Sequence, residues 1–386
     1  MKKLKLFAVV SLGLIFCRSN SFAQDVASQT DQNLSAISNA SSKGDTNFLL
    51  TGYAYSGFAK EGSNQGSFGP LGFSPIFLWK KSDKLFVEAE MEFGIENGEI
   101  HLGLEYATLH YILNKYITLG AGKFLSPFGT FAERLHPNWI NKFSDRPLGY
   151  SDEGTMIGPM GELGVELRGG AQLGNSKINY VGYVTNGPTL VTDDPDAAGQ
   201  LMYKNLSDNN NNKAIGGRIG FLPFSNSSLE VGVSGQTSVV GDKDSEFKNV
   251  GANLFSTDIS FIHKVSIFNI DLKGQLNNVA VDKASYTNKD GASYTFDNKT
   301  KAYYMQLALR PAFVKSKFVR NLEFAGRYSA LNNPEGAIWA GNQKQIGFGV
   351  NYWLNWNSVL KIDYMTNKMG DEASKGSVFV QLAFGF

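Results

Sequence analysis

Glu88, Glu90 and Glu92 stand on alternate positions of the stretch LFVEAEMEF, so an extended chain would carry three carboxylates on one face. Such a row can take a divalent cation, yet carboxylates two apart on a strand more often meet water or basic partners, and no metal site is expected. The four histidines, His101, His110, His136 and His263, show no HExxH spacing. GYSDEG at 149–154 is not a G-x-S-x-G elbow, and GAGKF lacks the spacing of a phosphate-binding loop. Neither enzymatic activity nor a cofactor is therefore expected. A second concentration of charge lies between Leu125 and Met160, where Glu133, Arg134, His136, Lys142, Asp145, Arg146, Asp152 and Glu153 follow Lys123. Opposed charges across a narrow, low-dielectric aqueous passage orient polar solutes and set ion preference. Without such a passage the same residues would be an exposed loop with solvated charges.

The elements that must position these groups are strands. From Asn47 onward the apolar pattern has period two: Leu85, Val87, Ala89, Met91 and Phe93 oppose the three glutamates, and Leu163, Val165 and Leu167 oppose Glu162, Glu166 and Arg168. Arg310 and Arg327 belong to similar polar faces. Roughly sixteen such segments can be counted, joined alternately by tight turns and by long polar connections at 125–160, 187–213, 281–299 and 332–342. That asymmetry predicts an all-β fold, an antiparallel transmembrane β-barrel with short periplasmic turns and long extracellular loops. A soluble sandwich also alternates, but seldom uses so many strands in one domain. Tyr53, Tyr55, Trp79, Tyr106, Tyr111, Tyr180, Tyr183, Tyr303, Tyr304, Tyr352, Trp353 and Tyr364 fall near segment ends or on outward positions, as interfacial girdles require. The polar faces carrying Glu88, Glu90, Glu92, Glu162, Glu166, Arg168, Arg310 and Arg327 would then line a wet lumen, because an Arg or Lys facing mid-bilayer lipid costs ~2–4 kcal/mol.

Targeting signals agree with this reading. Lys2, Lys3 and Lys5, the apolar run to Phe16 and the small residues Ser21 and Ala23 predict a signal peptide over 1–23. The Ser/Asn/Gln-rich stretch 24–46 reads as a flexible periplasmic extension, leaving 47–386 for the barrel. Cys17, the one cysteine, falls in the leader, so no disulfide is expected beyond it. A formal net charge of +1 gives no reason to expect a nucleic-acid partner.

Two stretches carry a resemblance. LGAGKFLSPFGTF, followed by RPLGY and GELGVELRGG, resembles the middle of the phosphate-selective porin O and P-like family, and GFGVNYWLNWNSVLKIDYM resembles its penultimate hairpin. The resemblance implies a sixteen-stranded homotrimeric porin of the bacterial outer membrane, with loops folded into the lumen. It does not bring phosphate specificity, because the clustered lysines associated with it have no counterpart here. The expected function is passive diffusion of small hydrophilic solutes or ions, with Lys123, Glu133, Arg134, Lys142, Asp145 and Arg146 at the constriction. Alternatives are a surface adhesion scaffold and, less favoured, a lipid hydrolase using His110 or His136. The terminal stretch GSVFVQLAFGF sets Val378, Val380, Leu382, Phe384 and Phe386 toward lipid. Its final aromatic, Phe386, resembles the signal read by barrel-insertion machinery.

Overall fold

A computed structural model describes residues 47–386 except 97, 151–155 and 204–205. The expected leader (1–23), the extension (24–46), and Asp152 and Glu153 lie outside the described residues. In chain order the strands begin β1 (Asn47–Glu61), β2 (Ser67–Lys80), β3 (Leu85–Glu96), β4 (Glu99–Ile112) and β5 (Ile117–Leu125). After a long loop follow β6 (Gly161–Leu173), β7 (Ser176–Thr185), the two-residue β8 (Thr189–Leu190) and β9 (Leu201–Met202), then β10 (Ala214–Leu222), β11 (Leu229–Val239), β12 (Gly251–Val265) and β13 (Phe268–Val281). The series ends with β14 (Ser285–Thr287), β15 (Ser293–Thr295), β16 (Lys299–Pro311), β17 (Leu322–Asn332), β18 (Gln343–Trp353), β19 (Ser358–Met369) and β20 (Lys375–Gly385). Sixteen of them close into one antiparallel barrel; β8–β9 and β14–β15 form small separate ladders within loops.

Closure is made by β1 against β20, from Tyr53 opposite Gly385 to Glu61 opposite Ser377. Gly52 and Phe386 extend the ladder by exchanging backbone bonds of 3.1 and 2.9 Å. In lipid this is obligatory, since each unpaired backbone group would cost several kcal/mol without water to satisfy it. Along β20 the faces alternate as the sequence predicts: Val378, Leu382 and Phe384 are exposed to the outside, while Ser377, Gln381 and Ala383 are buried inside. The connection between β6 and β7 is a two-residue Gly-Asn turn, and Gly174 at φ +61° supplies the left-handed conformation that matches the strand twist.

One irregularity redirects side chains toward the lumen. Between β3 and β4 the register slips, Glu90 facing Tyr106 but Met91 facing Leu104, so Glu105 is an extra residue. Below it Tyr106, Thr108 and His110 point inward and are buried. The girdle expectation needs correction on this point. Trp79, Tyr111 and Tyr364 are exposed on the outer wall, but Tyr53, Tyr106, Tyr183, Tyr304 and Trp353 are buried inside, and Tyr55 packs against the inner cluster of Trp353, Val359 and Ala383. A phenol tolerates that position when its hydroxyl finds a partner: Tyr53 donates to Glu90 at 2.8 Å and Tyr183 to Gln236 at 2.9 Å.

Candidate functional site

Past Leu125 the chain leaves the wall and enters the lumen. The base of this loop is held by Ser126 N–H donating to the Met160 carbonyl at 2.8 Å. A short helix, α1 (Phe131–Leu135), presents Phe131, Ala132 and Leu135 to an apolar patch made with Tyr150, Ala302, Tyr304 and Leu331. Further on, Phe143 is fully buried against Ala308, Ala325 and Met365, with the Arg327 guanidinium 4.7 Å from its ring centre. Apolar burial therefore seats the loop twice on the wall from β16 to β19.

Polar anchors fix its orientation. Gln275 Oε1 accepts from the N–H groups of Thr130 and Phe131 at 2.9 and 3.0 Å. Arg134 forms a bidentate pair with Glu230 at 2.6 and 3.1 Å, and Glu230 is also held by Arg218 and Asn179, both at 3.0 Å. Lys142 lies 2.9 Å from Glu323 and 3.5 Å from Asp271. Although burial depresses the Lys142 ammonium, those two carboxylates outweigh it and hold its pKa above the ordinary lysine value. Arg327 donates to the Asp145 carboxylate and, at 3.0 Å, to its carbonyl; the Arg146 carbonyl accepts more weakly at 3.5 Å. Asp363 accepts from the Ser144 N–H and hydroxyl at 2.7 and 2.6 Å.

These attachments lie on β11, β13 and β16–β19, leaving open space between the loop and the opposite wall. That space is a cavity of 160 Å³ against β1–β6, lined by Tyr53, Phe86, Glu88, Glu90, Tyr106, His110, Phe124, Glu133, His136, Trp139, Glu166 and Arg168, among others. Glu133 from the loop and Glu166 from β6 both accept from Arg168 Nη2, at 2.8 and 2.7 Å. His110 Nε2 meets Glu88 at 2.9 Å, its ring stacked on Phe86. His136 Nδ1 must carry a proton, because it meets the Ala132 carbonyl at 2.5 Å, and its Nε2 lies 3.7 Å from Glu90. Burial lowers the His136 pKa, but the Glu90 carboxylate more than compensates and the net direction is upward.

The cavity thus gathers Glu88, Glu90, Glu133, Glu166 and Arg168 from the residues that sequence reasoning selected. Glu92 shares the Glu88 and Glu90 face by alternation, and Glu162 is buried on the inner wall. Arg310 sits apart, donating to the Arg320 carbonyl at 2.9 Å with its guanidinium 5.6 Å from the Trp353 ring centre. Lys123 does not belong to the constriction. Phe124 is the inward residue there, so Lys123 turns to the outer face and donates to the Leu104 carbonyl. His110 and His136 are likewise inside, not on the outer wall where a lipid hydrolase would need them. The pattern of charges did not identify Glu230, Gln275 and Glu323 as anchors; their one legible signal is membership of inward strand faces.

At the outer mouth, loops 186–213, 240–250, 282–298 and 333–342 share an apolar core that includes Leu190, Tyr203, Val250, Tyr286, Phe296 and Ala337. Beneath it a 380 Å³ vestibule is lined by Tyr203, Asn298, Thr300, Asn333 and Trp339, among others.

A closed sixteen-stranded antiparallel barrel with a loop folded into its lumen is the porin fold. OmpF of Salmonella typhi, solved in complex with daunomycin, is similar at a TM-score of 0.59 and 12% identity, over 90% of this chain and 99% of that one. The anion-selective porin of Comamonas acidovorans is similar at a TM-score of 0.56 and 13% identity, over 89% and 100%. In-vitro-folded OmpT of Vibrio cholerae, in its trimer form, is similar at a TM-score of 0.51 and 8% identity, over 88% and 99%. No protein-family model and no curated protein sequence matches the chain.

Proposed function

We propose that this barrel is a non-enzymatic channel for passive diffusion of small hydrophilic or ionic solutes, with the loop 125–160 setting size selection and, together with the wall it faces, charge selection. The observation that carries the reading is the lumen-crossing loop, tied by Arg134–Glu230, Lys142–Glu323 and Asp145–Arg327 and leaving a charged cavity along β1–β6. A loop that only capped the mouth would have no reason to bury ionic partners within the wall. The likeness of LGAGKFLSPFGTF and GFGVNYWLNWNSVLKIDYM to the phosphate-selective porin O and P-like family supports the same reading, without its phosphate specificity. A homotrimer accords with the trimer form of the similar Vibrio protein. Outer-membrane lipid and, through Phe386, the insertion machinery complete the expected partners. Planar-bilayer recording of heat-modifiable, folded protein tests the proposal: discrete conductance steps are expected, and a folded barrel that passes no current refutes it.

A further inference from the structure

We infer that the cavity against β1–β6 is a binding site for a small organic cation, a solute bearing a primary ammonium or guanidinium group. The inference deepens the channel reading, on which its physiological meaning rests. Four carboxylates, those of Glu88, Glu90, Glu133 and Glu166, line the cavity with one permanent cation, Arg168. Because Glu133 and Glu166 share a single nitrogen of that arginine, one positive charge serves two negative ones.

The unused hydrogen-bonding capacity points the same way. The Glu166 side chain is fully buried, yet its Oε1 has no hydrogen-bond partner. His110 is 4% exposed and its Nδ1 is also without a partner. An ionised carboxylate only accepts, so His110 Nε2 must donate to Glu88. Glu166 Oε1 is thus a buried acceptor in the lining of a carboxylate-rich cavity, and a buried acceptor requires a donor. Two buried nitrogens without a hydrogen-bond partner, Arg168 Nε and His136 Nε2, are the exceptions, the latter 3.7 Å from Glu90. Neutral polyols would satisfy the acceptor but not the charge; anions would meet the surplus of carboxylates. Tyr53, Phe86, Tyr106, Phe124 and Trp139 add ring faces, which attract cations and pack against a short alkyl chain. A volume of 160 Å³ holds about five water-sized groups, enough for a chain of a few carbons with one charged head.

The test compares butylammonium, butyrate and 1,4-butanediol as blockers of potassium current through single channels of the full-length folded protein. Saturable block by butylammonium alone is expected, weakened at least fivefold by Glu166→Gln and by Glu88→Gln. Glu88 is the more exposed carboxylate, so its variant keeps the test decisive if Glu166→Gln does not fold. Equal block by butanediol would show a polyol site and overturn the proposal, as would unchanged block in the variants. Should the wild type pass no current, the channel reading fails, and titration calorimetry of the detergent-solubilised barrel with butylammonium decides the site by itself. Saturable heat that weakens in a variant supports it; no heat overturns it.

Discussion

Replacing Arg168 with glutamine isolates the charge of the cavity from its shape. The guanidinium Nη2 lies 2.8 Å from Glu133 and 2.7 Å from Glu166, so the two carboxylate oxygens are within about 5.5 Å of each other, the sum of the two contacts. An ion passing about 5 Å from the former charge changes in energy by ~0.8 kcal/mol in a water-like dielectric. Screening in 0.1 M salt, with a Debye length of ~10 Å, reduces that to roughly 0.5 kcal/mol. Cation and anion shift in opposite directions, giving ~1 kcal/mol between them, or about a fivefold rise in the potassium-to-chloride permeability ratio. In 1 M salt the Debye length falls to ~3 Å and the expected change is less than about twofold. Reversal potentials in asymmetric KCl measure the ratio directly. Lys123→Gln provides the control, because that lysine lies on the outer face and removes the same formal charge without approaching the cavity. An Arg168→Gln ratio indistinguishable from wild type in 0.1 M salt, or an equal shift in Lys123→Gln, would refute the placement of the conduction path.

Phe143→Ala removes a ring with no exposed surface from the loop's second seat and is expected to destabilise docking by ~3–5 kcal/mol. Larger and noisier unit currents should follow; an unchanged amplitude counts against the loop as constriction. The upward-shifted His136 contributes stability that is complete below the unfolded value near 6.5 and is lost as pH rises through its higher folded value. Open-channel noise should therefore grow on alkalinisation, and Glu90→Gln should abolish the trend; the opposite slope, or its persistence in the variant, contradicts the His136–Glu90 latch. Phe386→Ala loses a near-parallel stack on Phe73, centroids 5.6 Å apart, worth ~0.5–1.5 kcal/mol. Folding yield into vesicles should fall while the conductance of assembled barrels stays the same, and equal yields would remove the residue from the assembly step.

The strands were legible because lipid imposes a sharp contrast at every second residue. Where that contrast disappears, so does legibility. Lys123 sits in ITLGAGKFL, where glycines and alanine flank the lysine and offer no apolar–polar alternation from which to read a face. The inward tyrosines mislead for a different reason: an aromatic near a strand end suits the interface or the lumen equally well, and only the register decides. For Tyr106 that register depends on the extra residue Glu105, a local slip that no composition signal announces. Loop anchors were unreadable because each joins distant segments, 96 residues apart for Arg134–Glu230 and 181 for Lys142–Glu323.

Those anchors also redistribute the roles expected of the loop. Arg134 meets Glu230 in a network where Arg218 and Asp258 are paired as well, Lys142 meets two carboxylates, and Asp145 meets Arg327. Closely paired charges cancel at the distance of a passing solute, so on the proposed reading these residues mainly hold the loop in place. A surplus of carboxylates lies across the lumen, where Glu88, Glu90, Glu133 and Glu166 gather around Arg168 and His136, and of these four only Glu133 comes from the loop. Selection by size would then belong to the loop and selection by charge to the wall of β3 and β6. Replacing Arg134 and Glu230 together by glutamine, which conserves net charge, should consequently alter docking and current noise far more than ion preference, whereas neutralising Arg168 should do the reverse.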